Sequence, residues 1–216
     1  MFLLDLTDTN LPFVDKTISA NDFVINVDYI DDIVPMSVGV VRKVVGEKAT
    51  VFFIGKAKKI ITNKSLLKVI DISKTGKKKR SKEPPYEYKI CNRCHVLKHQ
   101  NEFAKNQNDG QSRHTTRPTC RECRVQIDGV NLLSSERKRM NKTKPEPHEL
   151  FKCPICQKVT IPGVTANIVI DHDHRTGKAR EWICDSCNTG IGRFQDSPEM
   201  LKRIANYIKL HNSNVH

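Results

Sequence analysis

The sequence has few aromatic residues and no long uncharged stretch. Phe, Trp and Tyr make up 6% of the 216 residues, with a single Trp, so a large aromatic core is excluded. No uncharged run approaches the roughly 20 apolar residues that a membrane-spanning helix needs. The start, MFLLDLTDTN, is interrupted by Asp5 and Asp8 and lacks the basic segment and cleavage site of a signal peptide. We therefore expect a soluble, cytoplasmic protein without a membrane partner.

Basic residues dominate the charge of the chain. There are 37 Lys and Arg residues against 24 Asp and Glu residues, which gives a formal net charge of +13. Folding does not require such an excess. The charge therefore suggests a polyanionic partner, most simply the backbone of a nucleic acid.

The eight cysteines fall into four pairs that share one spacing, and none is left over. In a reducing compartment, paired Cys-x-x-Cys sequences favour zinc over disulfides. Disulfides and redox-active thiols are the alternatives. The pairs are Cys91 and Cys94, Cys120 and Cys123, Cys153 and Cys156, and Cys184 and Cys187.

The cysteines and the charge divide the chain into four segments, and the predicted fold class is α+β. Residues 1–72 lack cysteine and hold five short β-type runs, which are typical of a small antiparallel barrel and resemble SH3-like or Tudor-like barrels. A DNA-clamping and a peptide-binding role are both open for this segment. Residues 73–85 form a basic linker, either a solvated spacer or an arm that neutralises phosphates. Residues 86–145 and 146–216 repeat one cysteine pattern.

Each repeat carries the ligands for one zinc site. The two cysteine pairs are separated by 25 residues in the first repeat and by 27 in the second. Each Cys-x-x-Cys turn provides two thiolates, and two turns complete a tetrahedral site. Neither repeat is long enough to bury a large core, so zinc would supply much of its folding free energy. The first site would comprise Cys91, Cys94, Cys120 and Cys123, and the second Cys153, Cys156, Cys184 and Cys187.

Two further stretches have a helical pattern. Residues 124–142 favour a helix, although Gly129 weakens its first half. Residues 197–212 predict an amphipathic helix with Ser197 as N-cap and Pro198 as the first helical residue. Its apolar stripe is expected to pack against the rest of the domain. The stripe consists of Met200, Leu201, Ile204 and Ile208.

The stretch from Asn167 to Phe194 predicts strand, turn, strand and helix in that order. Four possible ligands, residues 171–174, follow the first strand as Asp-His-Asp-His. Because the zinc is already satisfied by four cysteines, these groups are spare. A carboxylate can hold Mg²⁺ through oxygen, and a neutral imidazole can take a proton from water. In a basic protein this pair fits the hydrolysis of a phosphodiester. The alternatives are a structural cluster and a zinc site with mixed ligands.

The sequence DHDHRTGKAREWICDSCNTGIGRF resembles the ββα-metal, or His-Me finger, motif of the HNH nuclease superfamily, in its recombination endonuclease VII branch. The two zinc repeats behind a barrel most resemble a small type II restriction endonuclease. The resemblance implies that His172 is the general base and that Asp171 and Asn188 hold a catalytic Mg²⁺ (or Mn²⁺). Neighbouring side chains of a regular strand face opposite sides. We therefore expect the strand to end or bend at Asp171.

Several nearby residues remain candidates for auxiliary roles. His174 is a candidate for binding phosphate, orienting the site or capping the turn. Arg175, Lys178 and Arg180 are candidates for a phosphate clamp, and the alternative for each is a solvated surface charge.

The first repeat is predicted to bind zinc without cleaving. It lacks an Asp-His pair at the matching distance before Cys120, and Arg124 stands where Asn188 stands in the second repeat. Its basic loop, with Arg113, His114 and Arg117, is expected to contact DNA.

The sequence thus predicts a Mg²⁺-dependent, sequence-specific endonuclease that acts on double-stranded DNA as a homodimer, with two structural zinc ions per chain. Two alternatives stay open. The first is a Holliday-junction resolvase or a homing or nicking endonuclease with the same catalytic core. The second is a non-catalytic zinc protein that regulates transcription.

Overall fold

A computed structural model describes residues 6–76, 85–105, 116–146 and 149–212 of the chain. The chain forms two compact units, Met1–Val125 and Gln126–His216. Residues 126–145, which the sequence groups with the first repeat, fall in the second unit, while the four-part division itself stays a prediction. Most of the basic linker, residues 77–84, lies outside the described residues, as do Arg113 and His114.

The first unit begins with a five-stranded antiparallel sheet in the order β4-β3-β2-β1-β5. Each of the five β-type runs of the sequence forms one strand, which confirms that part of the prediction. In the described part of the chain no ladder joins β4 to β5, so the structure shows an antiparallel sheet and the barrel remains an expectation. The strands are β1 (Phe23–Asn26), β2 (Val38–Val45), β3 (Lys48–Phe53), β4 (Lys58–Asn63) and β5 (Leu67–Val69).

The sheet is held by one buried face. In β3, Ala49, Val51 and Phe53 point inward at every second position and are at most 1% exposed. This spacing follows from the two-residue period of a strand. Complete burial of a Val or Phe side chain contributes about 1.5–3 kcal/mol. The alternation of side chains along β3 therefore selects the face of the sheet that forms the core.

The first zinc repeat is built onto this sheet within the same unit. The amide of Val38 donates to the carbonyl of His95 at 2.8 Å, and the amide of Leu97 donates to the carbonyl of Met36 at 2.9 Å. Sheet and repeat also share a cluster of buried apolar side chains. The repeat comprises β6 (Tyr88–Ile90), β7 (Leu97–His99), β8 (Phe103–Lys105), β9 (Thr116–Cys120) and α1 (Arg121–Asp128).

The second unit contains the second zinc repeat between two helices. Its central feature is the antiparallel hairpin β12-β13 followed directly by α3, the predicted order of strand, turn, strand and helix. Its elements are α2 (Ser134–Asn141), β10 (Phe151–Lys152), β11 (Val159–Thr160), β12 (Ile168–His172), β13 (Ala179–Cys184), α3 (Asp185–Arg193) and α4 (Pro198–Asn212).

Two helix predictions need correction. The stretch 124–142 is not one helix, because α1 ends before Gly129, whose φ of +57° is incompatible with a right-handed helix. Helix α4 begins at Pro198 as predicted, and the Ser197 hydroxyl accepts a hydrogen bond from the Met200 amide at 3.2 Å. However, α4 has no buried residue, and Ile208 is 48% exposed. Leu201 and Ile208 of the apolar stripe therefore stay exposed, while Met200 and Ile204 are half-buried.

Membrane insertion finds no support in the helices. Within the residues that the structure describes, no helix combines the length and the apolar character needed to cross a bilayer.

Candidate active site and zinc centres

The hairpin β12-β13 is irregular at Asp171. Ile170 pairs with Trp182, but the next pair is His172 with Ala179, so β13 advances three residues while β12 advances two. Such a bulge re-aims side chains and occurs often beside active sites. The extra residue lies in β13, opposite Asp171, and β12 itself ends at His172, one residue beyond the position where the sequence predicts an end or a bend.

His172 lies beside Asp171 in a partly buried position. Its ring hydrogen-bonds the backbone carbonyl of Val130, and its centroid lies 4.6 Å from that of His174. Burial lowers the pKa of the His172 imidazole, and the charges of His174 and Arg180 lower it further, against the effects of the Val130 bond and Asp171. The neutral form, which can accept a proton, is thereby favoured near neutral pH.

The carboxylate of Asp171 is buried and paired with an arginine. The residue is 6% exposed, and Arg180 Nη1 lies 3.0 Å from its Oδ2. The other terminal nitrogen of Arg180, Nη2, lies 2.9 Å from Asp196 Oδ2. One guanidinium therefore joins two carboxylates. The sequence makes Arg180 a candidate for a phosphate clamp, but it does not predict the link to Asp196, because 16 residues separate the two.

Asn188 lies in the first turn of α3, directly after Cys187, and is half-buried. Helix α3 packs against both β12 and β13. The structure thus places the three residues named from the sequence on adjacent elements: Asp171 and His172 at the end of a strand, and Asn188 on the helix that packs on it.

His174 connects the hairpin to residues 129–133, which join α1 to α2 and are called the strap. Its Nδ1 lies 2.7 Å from the backbone oxygen of Asp128. The backbone carbonyl of His174 accepts a hydrogen bond from the Val130 amide at 2.7 Å. At the turn, the Leu133 amide donates to the carbonyl of Gly177 at 3.0 Å. The strap therefore runs along the hairpin end that carries His172.

The strap approaches the hairpin too closely for a side chain at one position. A Cβ on Gly129 would lie 2.2 Å from the backbone oxygen of His174. The glycine that weakens the helical pattern of residues 124–142 is thus the sequence signal of the strap, although the pattern alone shows it only as an interruption of a helix.

Helix α2, which follows the strap, forms two hydrogen bonds with β13, the second strand of the hairpin. A carboxylate oxygen of Glu136 accepts a hydrogen bond from the Ala179 amide at 3.0 Å. The indole of Trp182 donates to the carbonyl of Met140 at 3.2 Å. Both contacts fix β13, whose residue Ala179 faces His172.

The remaining basic candidates are more exposed. The Arg175 side chain is 90% exposed and lies 3.5 Å from Asp173, so it has the environment of a solvated charge. Lys178 is likewise exposed in the turn. Arg117 is half-buried in β9.

The first repeat pairs its hairpin with the same register as the second at the cysteine end. Phe103 pairs with Cys120 in β8-β9 as Ile168 pairs with Cys184 in β12-β13. Counting along the sequence from that shared register, Asn106 and Gln107 stand where the second repeat has Asp171 and His172. These two positions lie outside the described residues. Their identities agree with the predicted division into a zinc-binding repeat and a catalytic repeat.

Both groups of four cysteines are brought together as predicted. In each group, the four Sγ atoms lie within 4.8 Å of one another. Cys156 Sγ and Cys184 Sγ are 3.9 Å apart. Two thiolates bound to one tetrahedral zinc, with bonds of about 2.3 Å, are separated by about 3.8 Å. The geometry therefore fits one zinc ion in each group. No disulfide joins these described cysteines.

The thiols of each group have unequal acidities. Burial raises the pKa of Cys153, but amide hydrogen bonds from Cys184, Cys156 and Ile155 outweigh it and lower the pKa to about 6. Cys91 has a pKa lowered to about 7 in the same way. Burial raises the pKa of Cys187 to about 12. One thiolate per group thus forms readily, whereas the Cys187 thiol needs a nearby cation to lose its proton, as in a zinc site.

Sequence models of three families match the chain. They are recombination endonuclease VII over residues 130–210, the His-Me finger endonuclease beta4-alpha2 domain over residues 71–129, and the restriction endonuclease SH3 domain over residues 18–61. The three matches follow one another along the chain and agree with the resemblances seen in the sequence.

Two phage proteins are similar over a short stretch. The Gene 59 protein of Mycobacterium phage D29 is 39% identical over 59 residues, which are 27% of this chain and 34% of that protein. The Gene 59 protein of Mycobacterium phage L5 is 36% identical over 58 residues, which are 26% of this chain and 34% of that protein. The chain thus matches about a third of the length of these curated relatives.

The crystal structure of the ββα-Me type II restriction endonuclease Hpy99I matches with a TM-score of 0.82 and 50% sequence identity, covering 90% of this chain and 100% of that chain. The hairpin-helix site and the His-Me finger match define a metal-dependent endodeoxyribonuclease. With half its residues identical to a chain that it covers completely, the protein belongs to the ββα-Me type II restriction endonucleases. A non-catalytic regulator is thereby set aside.

Proposed function

We propose that the protein is a sequence-specific endonuclease that hydrolyses phosphodiester bonds of double-stranded DNA, with His172 as general base and one Mg²⁺ (or Mn²⁺) held by Asp171 and Asn188. The end of β12 at Asp171 and His172, opposite the irregular part of β13, is the observation that carries this proposal. Where the regular strand ends, two neighbouring residues can serve one site, next to the helix that carries Asn188.

His172 would accept the proton of the attacking water. Its ring hydrogen bond to the Val130 carbonyl takes one nitrogen as donor, and the other nitrogen is then the acceptor. The lowered pKa keeps that nitrogen unprotonated at neutral pH. As water attacks phosphorus, its proton passes to His172 and the bond from phosphorus to the leaving oxygen breaks.

Asp171 and Asn188 would hold the cation through oxygen. A carboxylate and a carboxamide oxygen suit Mg²⁺ or Mn²⁺, and an amide oxygen is an unusual ligand for zinc. When bound, such a cation neutralises negative charge on the phosphate and the leaving oxygen. Both residues have the donor type and the placement on adjacent elements that this role requires.

The two zinc ions would be structural. Cys153 and Cys156 lie in the turn between β10 and β11, whereas Cys184 ends β13 and Cys187 lies in α3. One ion therefore joins that turn to the junction between the hairpin and the helix. This junction sets the position of Asn188 relative to the strand that carries Asp171.

We infer that the enzyme acts as a homodimer. One active site per chain cleaves one strand, and two-fold symmetry would place a second site on the other strand. The net charge of +13 supports binding to the DNA backbone. Mixed dimers of wild-type and His172→Ala chains should then nick DNA that the wild type cleaves on both strands, whereas a monomeric enzyme would give the same products with and without added His172→Ala chains.

The cleavage assay uses linear duplex DNA of known sequence with Mg²⁺. We expect the wild type to cut every DNA that contains one particular short sequence into discrete fragments. His172→Ala should abolish this cleavage. His211→Ala, which changes an exposed histidine at the end of α4, is the matched control and should cleave normally. Unchanged cleavage by His172→Ala would show that His172 is not the base.

A second candidate is a nuclease of branched DNA, since residues 130–210 match the recombination endonuclease VII family. A four-way junction and a linear duplex of the same sequence separate the two functions. Cleavage confined to the junction would identify a resolvase. Sequence-dependent cleavage of the linear duplex would identify a restriction enzyme, which the match along the whole Hpy99I chain favours.

A further inference from the structure

Arg180 forms an ion pair with the carboxylate of Asp171, which the proposed site assigns as a ligand of the catalytic cation. Its Nη1 lies 3.0 Å from Asp171 Oδ2 and its Nη2 lies 2.9 Å from Asp196 Oδ2. The carboxylate of Asp171 is 8% exposed, that of Asp196 is 17% exposed, and the Arg180 side chain is 40% exposed. A half-exposed guanidinium thus neutralises two largely buried carboxylates.

Asp196 reaches this position through an unusual backbone. Both Gln195 and Asp196 adopt the left-handed conformation, with φ of +56° and +53°. The turn after α3 is closed by the Asp196 amide, which donates to the carbonyl of Ile191 at 3.3 Å. Glycine is the residue that usually follows a helix in this conformation, because it has no Cβ. An aspartate here retains a carboxylate at the cost of backbone strain, which points to a use for that carboxylate.

We infer that Arg180 and Asp196 are a positioning pair that sets the affinity of the ion site for its divalent cation. The inference depends on the proposed role of Asp171 as a ligand of that cation. Guanidinium and cation are both positive and compete for the same carboxylate. Asp196 gives Arg180 a second anionic partner, so the guanidinium can release Asp171 and remain neutralised in place.

The two members of the pair should have opposite effects. Arg180→Gln removes the competitor, so Mn²⁺ should bind roughly tenfold more tightly, as expected for the loss of a charge-assisted hydrogen bond. Asp196→Asn leaves Arg180 with Asp171 alone, so Mn²⁺ should bind roughly tenfold more weakly. Because Asp196 acts through Arg180, the double variant should resemble Arg180→Gln to within about a factor of two.

The measurement is Mn²⁺ binding to the zinc-loaded, DNA-free protein, followed by electron paramagnetic resonance of the free ion. Arg193→Gln removes the same charge from the exposed last turn of α3 and should change the affinity less than about twofold. Asp171→Asn should abolish binding at the site. Zinc content and thermal unfolding establish that each variant is folded. Asparagine tolerates the left-handed conformation, so Asp196→Asn preserves the backbone.

The outcomes separate the inference from the proposed function. Tighter binding by Arg180→Gln with weaker binding by Asp196→Asn supports the positioning pair, because general damage to the fold cannot tighten a site. Unchanged affinity in both variants, or weaker binding in both, overturns the inference while Asp171 remains a ligand. Mn²⁺ binding that survives Asp171→Asn overturns the proposed ion site itself, and the positioning pair with it.

Discussion

The Nδ1 atom of His174 lies 2.7 Å from the backbone oxygen of Asp128, although the two residues are 46 positions apart in the sequence. The bond joins the end of α1 to a residue two positions beyond His172. Together with the Val130 contacts, it makes the geometry of the proposed base depend on the strap. A backbone carbonyl accepts but does not donate, so the Nδ1 atom of His174 carries the proton.

Replacement of His174 by alanine should lower both stability and cleavage rate. The lost hydrogen bond should reduce the free energy of unfolding by about 1 kcal/mol, and the cleavage rate should fall by about tenfold as the strap loosens. His174→Asn is the matched variant, since its amide nitrogen can replace Nδ1 as donor to Asp128. Denaturant unfolding and single-turnover cleavage provide the two measurements.

The comparison of the two variants decides the role of His174. A rate that His174→Asn restores identifies the bond to Asp128 as its function. A rate that stays low in His174→Asn, with stability restored, would show that the imidazole itself contacts DNA.

Gly129→Ala should destabilise the second unit more than Gly163→Ala does. Both glycines have positive φ, +57° and +76°, so each substitution carries the strain of the left-handed conformation. Only at Gly129 would the new Cβ clash, 2.2 Å from the backbone oxygen of His174, whereas nothing lies within 4 Å at Gly163. The difference should be about 1–3 kcal/mol in the free energy of unfolding, and cleavage should fall in Gly129→Ala alone. Equal losses of unfolding free energy in the two variants would show that the strap shifts to accommodate the extra methyl group.

Local patterns in the sequence were sufficient to predict the cysteine groups and the hairpin and helix on which the site is built. The spacing of the cysteines predicted both zinc groups, because a Cys-x-x-Cys turn provides its two thiolates whatever surrounds it. The hairpin and helix around His172 were predicted from runs of β-branched residues, a glycine turn and the motif itself. The need for an end or a bend at Asp171 followed from the two-residue period of strands, and β12 ends one residue later, at His172.

Contacts between distant residues were beyond such patterns. No local rule pairs Arg180 with Asp196 or lays the strap along the hairpin, since both depend on how separate elements pack. The predicted packing of the α4 stripe was wrong for a related reason. Periodicity identifies the apolar face of a helix but not what covers that face. Of these contacts, only that of the strap is indicated by the sequence, through Gly129, a glycine inside a helical pattern.

Cys184→Ser should remove one of two zinc ions and abolish cleavage. Cys184 belongs to the second group of four cysteines, and loss of its proposed bond to zinc should release the junction between hairpin and helix. Removal of a structural zinc ligand also costs much of the folding free energy of a small domain. Zinc per chain, measured by mass spectrometry of the metal, should fall from about two to about one. Cys123→Ser, in the first group, should lose the other ion, and a full complement of zinc in Cys184→Ser would contradict the assignment.

The rate of cleavage should rise with pH through a midpoint below the ordinary histidine value of about 6.5. His172 acts as a base only when neutral, and its burial, followed by the charges of His174 and Arg180, lowers its pKa. Neutral imidazole therefore persists to lower pH than in a free histidine, and the acidic limb moves downward. In His174→Asn the neighbouring charge is gone, so the limb should move back upward. Single-turnover rates between about pH 5 and pH 8, at saturating Mg²⁺, test both shifts. A midpoint above that of free histidine, or the same midpoint in the wild type and in His174→Asn, would show that another group limits the rate.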